Sequence, residues 1–195
     1  MTYPEKYQSI RRTSGDLPLS VETATETLPK ELGPNDVVIK IHAVSLNFRD
    51  VGMLHGRYPI EVIERGIVAS DCAAEVVAVG QAVKDFKLGD HVAPVFDLND
   101  LDRDVDESVC ALGGDVDGVL REYAVFEAKQ LVQLPKYLSW EEVCSHCPSQ
   151  LLWCFANELV FTQASTLPCA GVTAWTSLNF PSETSGKNMS ALFQG

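Results

Sequence analysis

The sequence predicts a mainly β fold, a small and partly open β-barrel accompanied by a few helices. Short runs rich in β-branched residues follow one another between about residues 15 and 135, as in all-β domains. Gly, Asp, Asn and Pro separate these runs and mark the turns between strands. With 46% hydrophobic and 22% charged residues in 195, the chain has the composition of an ordinary soluble globular protein with a sizeable core.

The first strand is predicted over residues 36–44, DVVIKIHAV. Val37, Ile39 and Ile41 recur at every second position, while polar Lys40 and His42 point to the opposite face. This alternation is typical of a strand that is buried on one face only.

Three further runs predict the remaining strands: AAEVVAVG at 73–80, DHVAPVF at 90–96 and REYAVFEAKQLVQLP at 121–135. Gly80 and the pair Gly89-Asp90 stand where a short connection needs positive φ or a tight reversal. After Pro135 the pattern changes, because Ser139 and Glu142 have the S-x-x-E spacing of a helix capping box. A helix is therefore predicted to begin near residue 140.

The overall charge excludes two classes of partner. The formal net charge is −12, and such a chain is repelled by nucleic acid phosphates and by anionic membrane surfaces. The first residues form no leader sequence, and no run of 18 apolar residues occurs, so a cytoplasmic protein is expected. The six cysteines are irregularly spaced and are expected to be reduced. The acidic tract 97–117 is interpreted as a solvated loop.

Four segments together resemble the medium-chain dehydrogenase/reductase superfamily, in the order in which its members carry them. They are AVSLNFRDVGMLHGRYP at 43–59, ASDCAAEVVAVGQAVKDFKLGDHV at 69–92, GVLREYAVFEAKQLVQLP at 118–135 and ASTLPCAGVTAW at 164–175. The resemblance implies a GroES-like barrel that holds the substrate, followed in complete members by a Rossmann domain that holds a nicotinamide cofactor, NADP or NAD. It divides the chain into a GroES-like domain over 1–138, a helical linker over 139–180 and the start of a Rossmann domain over 181–195.

Zinc-dependent members of the superfamily carry a Cys in the first motif and Gly-His-Glu in the second. This sequence has Asn47 and Ala69-Ser70-Asp71 at those places. An amide and a hydroxyl do not replace the thiolate and imidazole ligands that zinc needs. The resemblance therefore points to the quinone-oxidoreductase-like branch, which works without metal, and no metal site is predicted.

The same resemblance supplies the candidate site residues. Asn47 and Thr173 match positions near the nicotinamide, and Asp71 is grouped with them as cofactor-binding. Asn47, Asp50 and Tyr58 are the catalytic candidates, with Tyr58 contacting the substrate or donating a proton. Structural alternatives remain open: Asn47 and Asp50 cap local turns, and Tyr58 only packs.

Two departures from the family pattern lead to expectations about the chain itself. Its last residues, NMSALFQG at 188–195, resemble a first Rossmann strand, but no G-x-G-x-x-G follows. The chain alone is therefore expected to lack a dinucleotide platform and to be inactive, and the full-length form is expected to be a homodimer. Residues 143–163 have no family counterpart, and we hypothesise a retained intron of 21 codons. The Cys144-x-x-Cys147 pair within it is interpreted as incidental, because a closed zinc site needs more ligands nearby.

Two functions remain as hypotheses. The first is hydride transfer between NAD(P)(H) and a small alcohol, carbonyl, quinone or enone, with a polyketide-type enoyl reductase as a variant. The second is a non-catalytic GroES-like module that binds a partner through an exposed apolar surface.

Overall fold

The computed structural model of the chain describes residues 3–99 and 110–134. Within these residues the fold is mainly β, which confirms the prediction. The described elements are β1 (Lys6–Arg12), β2 (Val21–Thr27), β3 (Asp36–Ser45), α1 (Phe48–Leu54), β4 (Asp71–Val79), β5 (His91–Pro94), β6 (Tyr123–Glu127), a 3-10 turn (Ala128–Gln130) and β7 (Leu131–Gln133). β1 and β2 form an antiparallel hairpin, and the other five strands form a curled antiparallel sheet in the order β6-β3-β4-β5-β7.

β3 lies inside the sheet and carries its core. It pairs with β4 on one side and with β6 on the other. Val37 and Ile39 face the main core, as predicted. Val38 is also fully buried, since Tyr7 and Leu28 of the β1–β2 region pack against it. The first half of β3 is therefore buried on both faces, which corrects the expectation of a half-buried strand.

The β1–β2 hairpin was not predicted, because its buried positions include polar residues. Ser9 and Arg12 are 0% and 1% exposed, so hydrophobic alternation gives no signal there. Arg11 joins the hairpin to the sheet region: its Nε lies 2.6 Å from Glu26, and its Nη1 and Nη2 donate to the two carboxylate oxygens of Asp117 at 2.9 and 3.0 Å. A partly buried ion network thus adds to the apolar packing of Tyr7 and Ile10 in linking the hairpin to the rest of the fold.

The two predicted turn positions, Gly80 and Gly89, require glycine for different physical reasons. Gly89 adopts a φ of +80° in the connection to β5, a conformation that favours glycine. Gly80 instead makes a close approach, because a Cβ there would collide with the carbonyl oxygen of Gly33. Both positions therefore match the sequence prediction of turns.

Several predictions fall outside the described residues. They are the helix from residue 140, the linker over 139–180 with its segment 143–163, and the Rossmann start over 181–195.

Cys72 and Cys110 are free thiols. Among the helices of the described ranges, none is long and apolar enough to cross a membrane.

Candidate functional site

The candidate site lies where β3 ends and β4 begins. Ser45, the last residue of β3, is paired with Asp71, the first residue of β4. The chain turns after Ser45 into α1, and Asn47 stands immediately before that helix in extended conformation. The strand register therefore brings Asn47 next to Asp71, although they are 24 residues apart in the sequence.

Asp50 fastens the two chain segments of the site to each other. Its Oδ2 accepts the backbone N–H of Asn47 at 2.8 Å, and its Oδ1 accepts the backbone N–H of Ala69 at 3.0 Å. The side chain is only 6% exposed, so both hydrogen bonds are shielded from water. The structure thus gives Asp50, a catalytic candidate, a local capping and bridging role.

Asp71 accepts hydrogen bonds from two side chains, whereas Asp50 accepts them from two backbone groups. Its Oδ2 accepts from Nδ2 of Asn47 at 3.1 Å, and its Oδ1 accepts from the Ser70 hydroxyl at 3.4 Å. Ser70 and Asp71 are fully buried. The bond to Asp71 fixes the amide orientation of Asn47, so that Oδ1 and one N–H hydrogen of its amide stay available.

Burial raises the pKa of Asp71 to about 7 from its ordinary 3.8. Hydrogen bonds from Asn47 and Ser70 and the positive charge of Arg49 oppose this shift, while the negative charge of Asp50 adds to it. Desolvation disfavours the charged form of a carboxyl group. Asp71 therefore changes its protonation state close to neutral pH, whereas an exposed aspartate is fully ionised there.

Ala69 holds the segment before Asp71 in a strained conformation. Its φ is +68°, in the left-handed region that costs a residue with a Cβ about 1–2 kcal/mol. The surroundings enforce it: the Ala69 carbonyl accepts the N–H of Val119 at 2.9 Å. Gly113 and Gly118 approach the same carbonyl so closely that a Cβ on either would clash with it. Ser70 and Asp71 consequently leave this point in a fixed direction.

Tyr58 lies beside an arginine that the sequence did not single out. The Arg49 Cζ is 4.7 Å from the centre of the Phe96 ring and 5.9 Å from that of Tyr58. Its Nη2 donates to the carbonyl of Leu112 at 2.8 Å. Tyr58 is half-buried, so its ring packs while part of it faces solvent. In a sequence, a lone charged residue on a short helix cannot be distinguished from a solvent-exposed one. The sequence therefore gave no signal for Arg49.

The donor groups of this site do not suit zinc. In residues 3–99 and 110–134, no three His, Cys, Asp or Glu side chains come together as a metal site. Both oxygens of Asp50 accept backbone N–H groups. Apart from Asp50, the site offers one amide, one hydroxyl and one carboxyl group, whereas zinc takes thiolate, imidazole and carboxylate ligands. The structure thus brings together Asn47, Asp50 and Asp71 and places Tyr58 on Arg49. Thr173 lies outside the described residues.

The fold and the site define a GroES-like domain, and comparison with known sequences gives the family. The pattern of the alcohol dehydrogenase GroES-like domain matches residues 33–136. The chain belongs to the medium-chain dehydrogenase/reductase superfamily through this domain.

Individual relatives agree with that assignment. A zinc-type alcohol dehydrogenase-like protein of Schizosaccharomyces pombe is 37% identical over 153 residues, which cover 77% of this chain and 38% of that protein. A quinone oxidoreductase of Pseudomonas aeruginosa is 43% identical over 65 residues, 33% of this chain and 20% of that protein. A solved structure assigned as an alcohol dehydrogenase of Sinorhizobium meliloti 1021 has a TM-score of 0.68 and 31% identity, covering 91% of this chain and 47% of that one. The chain thus spans less than half the length of these relatives.

Proposed function

We propose that this chain supplies the substrate side of a zinc-independent, NAD(P)(H)-dependent oxidoreductase. The reaction is hydride transfer to or from a small alcohol, carbonyl, quinone or enone. The observation that carries this proposal is the hydrogen bonding of Asn47 and Ser70 to Asp71, because Asn47 and Ser70 match the Cys and His positions in the motifs of zinc-dependent members. In this chain an amide and a hydroxyl, both bonded to a buried carboxyl group, take those places.

The nicotinamide ring, when bound, supplies or accepts the hydride, and the chain orients the reacting groups. The free amide oxygen and N–H hydrogen of Asn47 suit a carboxamide or a developing oxyanion. Thr173 is proposed as a second contact to the carboxamide. The described residues contain no glycine-rich phosphate loop, so binding of the dinucleotide depends on residues outside them, and we expect no turnover from the described residues alone.

The other site residues have supporting roles in this proposal. Tyr58 is half-buried, and its proposed role is to contact the substrate or to donate a proton. Asp50 keeps the Asn47 and Ala69 segments together, and Asp71 sets the orientation of the Asn47 amide. No step of the proposal uses a metal.

A second candidate function is partner binding without catalysis. It is favoured by apolar side chains on the solvent side of α1, where Phe48 is 84% and Val51 is 37% exposed. Exposed apolar groups of this kind mark interaction surfaces. The two functions differ in whether the Asn47–Asp71 pair takes part in chemistry.

A domain exchange separates them. Residues 1–138 replace the equivalent domain of the Sinorhizobium structure, and the hybrid is assayed for NADPH and NADH oxidation. The acceptors are a quinone, an aldehyde, a simple enone and a 2-enoyl thioester, the last to test the polyketide-type enoyl reductase variant. We expect activity that survives EDTA.

The matched variants are N47A, which removes the amide, and N35A, which removes an exposed amide elsewhere. Loss of an oxyanion-stabilising amide typically lowers kcat by about 10²–10³, so N47A is expected to lose at least about tenfold while N35A stays active. A folded, cofactor-binding hybrid that transfers no hydride to any acceptor would support the interaction module. Activity abolished by EDTA would contradict zinc independence.

A further inference from the structure

Arg49 presents an unusual set of unused hydrogen-bond donors beside the Asn47–Asp71 pair. Its guanidinium group packs against the rings of Phe96 and Tyr58. Stacking of this kind fixes the plane of the group but supplies no hydrogen-bond acceptor in that plane. The side chain is therefore held in one orientation with its N–H groups still to be satisfied.

Only one of the three nitrogens of Arg49 has a partner. Nη2 donates to the Leu112 carbonyl at 2.8 Å, while Nε and Nη1 are shielded from solvent and have no hydrogen-bond partner. Buried polar atoms are almost always satisfied, and leaving a charged one unsatisfied destabilises the fold. Such an exception is expected where a ligand completes the hydrogen bonding.

No acidic side chain in the described part of the chain neutralises this charge by direct contact. None of the ion pairs among the described residues involves Arg49. The two oxygens of Asp50 accept backbone N–H groups, and Asp71 is bonded to Asn47. A second guanidinium group, that of Arg12, is 1% exposed. Burial lowers the pKa of Arg12; the negative charge of Asp50 opposes this shift, and the positive charge of Arg49 adds to it. The surroundings therefore favour an additional negative charge.

We propose that Arg49 is an anion-binding residue of the substrate site and that the substrate is a small organic carboxylate that also bears the reacting group. In a planar guanidinium group the Nε–H points to the same side as Nη2, and the other edge joins Nη1 and Nη2. Because the Leu112 carbonyl takes one of the two Nη2 hydrogens, Nη2 still forms a two-pronged edge with Nε or with Nη1, which matches the two oxygens of a carboxylate. Tyr58 belongs to a segment without helix or strand between α1 and β4 and is half-buried. Because Nε and Nη1 are shielded, binding of a ligand requires the Tyr58 ring to move aside. The role in turnover rests on the proposed function, but the binding of a carboxylate does not.

The test uses the full chain, without cofactor, in phosphate-free buffer. Benzoate and benzamide serve as probes of similar shape that differ in charge, and binding is measured by ligand-observed NMR. We expect benzoate to bind at least about tenfold more tightly than benzamide, as for a charge-assisted hydrogen bond. Equal affinities, or no binding of benzoate, would overturn the proposal.

Three variants assign the binding to Arg49. R49M is expected to lose the preference for benzoate, while its benzamide affinity stays within about twofold. R49K keeps the charge but lacks the two-pronged geometry, and should retain part of the preference; it also serves if R49M does not fold. R57M removes an exposed arginine from the neighbouring segment and should change nothing. Benzoate binding that is unchanged in R49K and R49M, or lost in R57M, would refute the assignment. A negative result here leaves the domain-exchange result standing, because that assay measures hydride transfer to uncharged acceptors.

Discussion

The buried carboxyl group of Asp71 should make the stability of this protein depend on pH in a way that one substitution removes. In D71N the side chain keeps its shape, its oxygen still accepts from Asn47, and its amide can donate to Ser70. The variant no longer titrates. Comparing it with the wild type therefore isolates the free energy of ionising residue 71 inside the fold.

The sign and size follow from the pKa, which rises from 3.8 to about 7 on folding. The folded state holds the proton to higher pH than the unfolded state, so this contribution to stability is complete below pH 3.8 and is lost as pH rises to about 7. At about 1.4 kcal/mol per pKa unit, the total loss is on the order of 4 kcal/mol. Between pH 5 and pH 7 the free energy of unfolding of D71N, relative to wild type, should increase by about 2–3 kcal/mol and then level off.

The assay is urea unfolding of both proteins, followed by circular dichroism at pH 5, 6, 7 and 8. D117N is the control. Although burial opposes it, the hydrogen bond from Arg11 holds the pKa of Asp117 below 3.8. The stability that Asp117 contributes is lost only as pH falls through that lower pKa, so the difference between D117N and wild type should stay constant from pH 5 to 8. A D71N difference that is equally constant would refute the inference that a buried, ionisable carboxyl group lies in the site.

Two further substitutions test how the site is held. D50N places an NH₂ group against one of two buried backbone N–H groups, and should lower the free energy of unfolding by about 2–4 kcal/mol; a loss below 1 kcal/mol would contradict this. A69G relieves about 1–2 kcal/mol of left-handed strain, which offsets the lost methyl group and the added chain entropy. A74G, at a buried strand position without positive φ, gains no such relief. Calorimetry should show A74G less stable than A69G by at least about 1 kcal/mol, and the reverse order would contradict it.

The sheet was predictable where one face of a strand is apolar and the other is polar. Alternation gave β3 over 36–44, and the observed strand is Asp36–Ser45. It did not give β1, because the buried residues of that strand include Ser9 and Arg12, whose partners lie far away in the chain. Contacts made by buried polar groups depend on the tertiary structure, and hydrophobic periodicity carries no record of them.

The site was predictable in its membership but not in its properties. The family motifs named Asn47, Asp50 and Asp71, and the structure brings these three together. The structure shows that Asp50 bonds to backbone N–H groups and that burial raises the pKa of Asp71 toward neutrality. Burial depends on the tertiary structure, and the spacing of residues in the sequence does not report it. Arg49 was missed because the absence of a partner is visible only once its neighbours are placed.

The most direct test of the central idea, that hydrogen bonds occupy the place of metal ligands, is a zinc titration of the purified chain by calorimetry. The wild type and D71N should give the same binding isotherm, because Asp71 holds the Asn47 amide and takes no part in any zinc binding elsewhere in the chain. One equivalent of zinc that binds the wild type and is lost in D71N would contradict the account.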